Sequence, residues 1–132
     1  MSQVLEHSWD PNAWFEKARR LLATGGIVAI ALPSFGSVFR MVLGVGDPCS
    51  CPPWHLNFFD RRAIGVLLEK HGFRGRATQC VTRVPLFSVT RRVRWHAAPL
   101  LKSCLKWAGA VADALGVGMM INVYGEKWWR MR

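Results

Sequence analysis

Acidic residues are scarce in this sequence. Its 132 residues hold 8 Asp and Glu against 18 Lys and Arg, a net charge of +10. The deficit is local. From Lys70 to Lys106 there are nine basic residues and no acidic one. Anionic partners (nucleic acid, a phosphorylated substrate, an anionic lipid surface) therefore enter as candidates. They stand beside the plainer reading of a solvated basic face. Close thiol pairs of the usual metal or redox spacing are also lacking. Cys49, Cys51, Cys80 and Cys104 are scattered, and no Cys-x-x-Cys occurs. Cys49, Cys51 and His55 do not make a zinc site, because the Cys-x-Cys spacing is wrong and a fourth ligand is missing. Met1 to Asp10 show no apolar run behind a basic start, so reduced thiols in a cytoplasm are expected. Leu21 to Phe39 lacks charge over 19 residues. Gly25-Gly26 and Pro33 break it into a helix end, a strand and a loop, which excludes a membrane span. Repeats and low-complexity linkers are absent, and 132 residues fit one domain.

What is present is a hydrophobic content of 51%, enough for a packed core. Asp10-Pro11 predicts a helix start, with the carboxylate capping free N–H groups and Pro at the first helical position. Trp14, Phe15, Ala18, Leu21 and Leu22 follow at helical spacing, with Trp14 and its neighbours expected in the core. Gly25 and Gly26 are the expected stop. Ile27 to Leu32 is apolar at every position, as in a strand buried on both faces of a parallel sheet. Residues 34 to 59 read mostly as loop, with a short helix over Ser37 to Leu43. A second helix starts at Asp60 and ends at Gly72, and Phe73 to Val81 reads as a strand. The basic stretch from Thr82 to His96 is ambiguous. Leu100 to Leu115 reads as a helix whose apolar side carries Leu101, Cys104, Leu105, Ala108, Val111, Ala112 and Leu115. Met119 to Tyr124 reads as a last strand before a Trp-rich basic tail. Alternating helices and strands imply an α/β layered fold.

Three ordered stretches carry a resemblance. They are Val4-Leu5-Glu6-His7-Ser8-Trp9-Asp10-Pro11, then Leu21-Leu22-Ala23-Thr24-Gly25-Gly26 with Pro33-Ser34-Phe35-Gly36-Ser37, then Pro52-Pro53-Trp54-His55-Leu56-Asn57-Phe58-Phe59 with Leu67-Leu68-Glu69-Lys70-His71-Gly72-Phe73. Together, from Val4 to about Phe73, they resemble the small-molecule class I S-adenosylmethionine-dependent methyltransferases. The resemblance implies a Rossmann-like sheet of seven strands in the order 3-2-1-4-5-7-6, with strand 7 antiparallel. Here Val4-Leu5 would finish strand 4, Ile27 to Leu32 would be strand 5, Phe73 to Val81 strand 6, and Met119 to Tyr124 strand 7. Residues 1–132 would then be the C-terminal part of a single methyltransferase domain, with strands 4-5-7-6 only.

In the family, a Gly-rich turn after strand 1 and an acidic residue ending strand 2 hold the cofactor. Glycines let backbone approach the ligand, and a carboxylate takes both ribose hydroxyls. Neither element is expected here. Gly44-Val45-Gly46 and Gly116-Val117-Gly118 do not replace them, since neither joins a buried strand to a helix. Met1 is expected to be an internal methionine of a longer ancestral protein, through a misassigned start, a truncated gene or a separate chain that supplies the other half. Strand 4, without strand 1 beside it, would present an apolar edge prone to association.

The resemblance places Glu6 and His7 at the end of strand 4, where ligands of open α/β sheets bind. A His there could take a proton from an acceptor hydroxyl or amine. The bland alternative is that both residues hydrogen-bond the loop before Asp10. His55, from the Pro-rich loop that covers the site in the family, joins them as a catalytic candidate. Trp54 and Phe35 are candidates for substrate contact. Two branches of the family bind a divalent metal through E-x-x-E-H. Gln3 replaces the first carboxylate, so no metal is expected, although Glu6, His7 and His55 remain a conceivable ligand set. Trp95, Trp128 and Trp129 beside Arg94, Lys127 and Arg130 could serve single-stranded nucleic acid or a membrane surface. Terminal packing is the preferred explanation.

The expected function is methyl transfer from S-adenosylmethionine to a small molecule, by a chain inactive on its own. The alternative is a non-enzymatic basic module for nucleic acid or an anionic surface. A methyl acceptor and a chain supplying the missing half are the expected partners.

Overall fold

A computed structural model describes residues 1–47, 49, 53–82 and 98–128. The basic stretch with Arg94, Trp95 and His96 lies outside the described residues, as do Cys51, Pro52, Trp129 and Arg130.

Helix α1 spans Pro11–Leu21, and Asp10 caps it by accepting hydrogen bonds from the N–H groups of Asn12 (2.9 Å) and Ala13 (3.3 Å). It ends three residues before Gly25, at an extended Leu22. Gly25 instead serves the turn into the next strand, at a φ of 81° that favours glycine. Phe15 is the residue of α1 that enters the core, whereas Trp14 and Leu21 are exposed. The helix has a narrow apolar stripe, and Trp14 lies off it, with the Lys17 Nζ 5.7 Å from its ring.

Strand β1 runs Ile27–Pro33, helix α2 Val38–Leu43, helix α3 Arg61–Lys70, strand β2 Phe73–Val81, helix α4 Ala98–Ala114 and strand β3 Met120–Lys127. Ser37 caps α2 through the Arg40 N–H, and Asp60 caps α3 through the Ala63 N–H. The sheet order is β1-β3-β2, with β3 antiparallel to both neighbours. Beyond β1 the chain start adds a stub. Ser2 bridges Ala31 in parallel sense, the Gln3 N–H donates to the Ala31 carbonyl, and the Ala31 N–H donates to the Met1 carbonyl, both at 2.9 Å. Stub, β1, β3 and β2 reproduce the order 4-5-7-6 that the resemblance implies. The strand pairing stops at Gln3, whose φ of 53° turns the chain, so Leu5 falls in a 3-10 turn over Leu5–His7 rather than in a strand.

The core lies on one face of this sheet. Val28, Ile30 and Leu32 of β1 meet Ile121 and Val123 of β3, and Leu5, Phe15, Ile64, Leu68 and Phe73 cover them. Burying each such side chain contributes about 1.5–3 kcal/mol. Gly125 lets Leu68 close onto the sheet, since a Cβ there would meet the Leu68 Cδ2 at 2.5 Å. Among the described residues the other face is less covered. Burial in β1 alternates, and Ile27 remains 49% exposed. The expectation of a strand buried on both faces is corrected: antiparallel β3 is its partner, and Ile27, Ala29, Ala31 and Pro33 stay exposed or half-buried. Helix α4 is corrected similarly. Ala112 is buried and Leu105 half-buried, but Cys104, Ala108, Val111 and Leu115 of its expected apolar side face outward. Asp113 docks the helix by accepting from the N–H and hydroxyl of Thr82 at 2.9 and 2.6 Å.

Candidate functional site

The carboxyl end of β1 and the turn after the stub meet at one place, as strand ends do in α/β sites. The turn carries Glu6 and His7. The segment from Pro53 to Phe59 lies across it as a strap. The Glu6 carbonyl accepts the N–H groups of Leu56 (2.7 Å) and Asn57 (3.1 Å). The Asn57 side-chain amide donates to the carbonyls of Leu5 (3.2 Å) and Ser8 (2.5 Å). Phe35 donates its N–H to the Phe59 carbonyl (2.8 Å), tying the strap's far end to the second residue after β1. Three separated pieces of sequence are thereby locked together by backbone groups and the Asn57 amide.

The strap brings His55 onto His7, with ring centroids 4.8 Å apart in an edge-on arrangement. Each imidazole is oriented by a backbone carbonyl. His7 Nδ1 lies 2.7 Å from the Trp54 oxygen, and His55 Nδ1 lies 2.9 Å from the Cys49 oxygen. A carbonyl only accepts, so each Nδ1 carries the proton and each Nε2 keeps a lone pair in the neutral ring. Beneath them is Glu6, 2% exposed, whose two carboxylate oxygens have no hydrogen-bond partner among the described residues. Ligand atoms of Glu6, His7 and His55 lie within 4.8 Å of one another.

A narrow cleft of about 10 Å³ opens here, bordered by Glu6, Ser34, Phe35, Asp47, His55 and Asn57 among others. Phe35 packs against Phe58 (5.3 Å between ring centroids), with the Arg40 guanidinium 4.8 Å over its ring. The structure thus brings together Glu6, His7, His55 and Phe35. Trp54 differs. Its indole is 74% exposed and does not line the cleft, and its contribution is the carbonyl that orients His7. Asn57 and the buried Asp47 were missed by sequence reasoning. Asn57 stands two residues after His55, in the same motif, and that is the signal that could have found it. Gln3 reaches away, its amide nitrogen 4.0 Å from the Met120 sulfur. Burial, with Lys70 beside it, holds His71 below the ordinary imidazole range. A hydrogen bond from Arg76 holds Glu126 below the usual carboxylate range. Among the described residues no helix is long and apolar enough to cross a membrane.

A parallel edge stub, an antiparallel strand between two parallel ones, and a polar cluster at the strand ends define the class I methyltransferase type of α/β sheet. The chain belongs to the methyltransferase domain family, whose model matches residues 1–78. Solved structures of this fold agree. A SAM-dependent methyltransferase from Thermotoga maritima is 15% identical, with a TM-score of 0.62 over 96% of this chain and 53% of its own. A chain from the complex of the Haloferax volcanii Trm112 methyltransferase activator with a methyltransferase is 10% identical (TM-score 0.62, covering 99% and 53%). A S-adenosylmethionine-dependent methyltransferase from Mesorhizobium loti is 12% identical (TM-score 0.55, covering 95% and 58%). The chain therefore spans about half the length of the solved structures it matches. No curated protein matches it.

Proposed function

We propose that residues 1–132 form the acceptor-binding half of a S-adenosylmethionine-dependent methyltransferase acting on a small molecule. The observation that carries this reading is the Glu6, His7 and His55 cluster at the carboxyl end of the strands, in a sheet of the methyltransferase order. In the transfer, an acceptor oxygen or nitrogen forms a bond to the methyl carbon as the methyl–sulfur bond breaks. The electron pair of that bond leaves with sulfur as S-adenosylhomocysteine. The acceptor proton passes to an imidazole Nε2, and His7 is the exposed one. Alignment of acceptor and methyl does most of the work. The rest of the domain, preceding this segment or supplied by a partner chain, provides the Gly-rich turn and the ribose carboxylate.

The 132-residue chain by itself is then no cofactor binder. Calorimetric titration of the folded, soluble chain with S-adenosylmethionine gives no heat, and binding appears once a chain carrying the Gly-rich turn is added. Saturable micromolar binding by the chain alone overturns the half-domain reading.

A further inference from the structure

We propose that the cleft beneath the strap receives a primary ammonium group, so that the small molecule recognised here carries an –NH₃⁺ handle. The first reason is charge. Glu6 borders the cleft at 2% exposure, and neither of its carboxylate oxygens has a hydrogen-bond partner among the described residues. A buried carboxylate in that state is costly, and a cation in the cleft offsets the cost. Asp47, 3% exposed, brings a second carboxylate to the same cleft, one oxygen of which accepts the Cys49 N–H at 3.1 Å. The second reason is the direction of the hydrogen bonds. The Asn57 amide nitrogen gives its protons to the Leu5 and Ser8 carbonyls, so its Oδ1 is left to accept. The His55 Nδ1 proton goes to the Cys49 carbonyl, so the remaining ring nitrogen accepts as well. Glu6, His55 and Asn57 all border the cleft. They offer three acceptors, and an ammonium has three N–H donors and no acceptor. An anion would find no donor among them. The third reason is size. The cleft of about 10 Å³ has room for one water-sized group, which an –NH₃⁺ head is and a trimethylammonium is not.

The carbon frame of the ligand lies outside the cleft, along Phe35 and Phe58. Both rings border the cleft and remain 42% and 43% exposed. Phe35 already takes the Arg40 guanidinium over its ring, so this aromatic rim suits a cationic molecule. Once the handle fills the cleft, no room is left there for a methyl donor. The reacting oxygen or nitrogen is therefore a second group of the same molecule, outside the cleft on the side of His7. The His7 ring centroid is 4.8 Å from that of His55, and His7 does not border the cleft. As a description of the methyl acceptor, this rests on the proposed function; the ammonium site itself does not.

The test is an NMR titration of the 132-residue chain with n-butylammonium chloride, with chelator present and ionic strength held constant. The Asn57 side-chain amide and the His55 ring should shift and saturate in the millimolar range, while His71 stays in place. n-Butanol, of the same length without the charge, should bind at least about 10-fold more weakly. Butyltrimethylammonium, which has the charge and no N–H, should be weaker by at least about the same factor. Glu6→Gln, of similar size, should weaken butylammonium by at least about 10-fold. Equal binding of either control ligand, no saturable shift with butylammonium, or unchanged binding in folded Glu6→Gln would each overturn the proposal. Should Glu6→Gln fail to fold, the ligand series on the unaltered chain still decides it. Failure of the methyltransferase reading has a different signature: the chain binds butylammonium, but no chain carrying the Gly-rich turn brings about cofactor binding.

Discussion

His71 shows how much a single side chain is asked to do away from the cleft. Its ring stacks on Phe15 at 5.4 Å, and Nε2 donates to the Asn12 side-chain oxygen at 3.0 Å. Lys70 Nζ donates to that same oxygen. Burial and the neighbouring Lys70 both disfavour the imidazolium, so the folded-state pKa falls below the ordinary imidazole value of 6.5. The unfolded chain then binds more protons in the window below 6.5. Stability is therefore fully present above that pH and is lost as pH falls toward the folded pKa. Urea denaturation between pH 7.5 and 5.5 should show this decline, and His71→Phe should remove that part of the slope while keeping the stack on Phe15. An unchanged slope in the variant would assign the pH dependence elsewhere. The residues of the site were legible to different degrees. Glu6, His7 and His55 came into view through the family's motif order, because nothing local says that residues 48 apart will touch. Asn57 was invisible as a site residue, since its role is to hold two carbonyls whose positions depend on the folded turn.

At the level of elements, local chemistry was a good guide to starts and a poor one to faces. Asp10 and Asp60 cap their helices as their sequence neighbourhood predicts, since a cap acts over three residues. Phe73–Val81 is the strand its sequence predicts, to the residue. Burial of α4 was not legible, because an apolar stripe states only that something can cover it. Here Trp107 is 74% and Leu115 72% exposed, with Val111 between them. Contiguous exposed apolar surface of this kind drives association in water. Sedimentation of the isolated chain should therefore show mass rising with concentration, and Val111→Lys with Leu115→Glu should shift it toward monomer. Monomeric behaviour of the unaltered chain at high concentration would mean that this face is covered within one molecule.

Seen whole, the molecule is one-sided. Among the described residues, its core occupies a single face of a three-stranded sheet, the opposite face of β1 stays exposed or half-buried, and a three-residue stub stands at the edge where a further strand would pair. The topology was legible because the family's strand order is written in ordered motifs. The one-sidedness was not, because apolar residues in β1 look alike whether or not helices lie over them. The strap adds a temporal meaning to this architecture. Since the Glu6 carbonyl itself holds the Leu56 and Asn57 amides, the cover cannot lift without releasing the turn that carries Glu6 and His7. Entry to the cleft and loosening of the turn should thus be one event, with one rate. Deuterium uptake at the Leu56 and Asn57 amides should read that rate directly, with both amides exchanging together; two separate rates would show that the cover lifts in stages. Whatever binds in the cleft must arrive in the interval of opening and be trapped as the site reassembles around it.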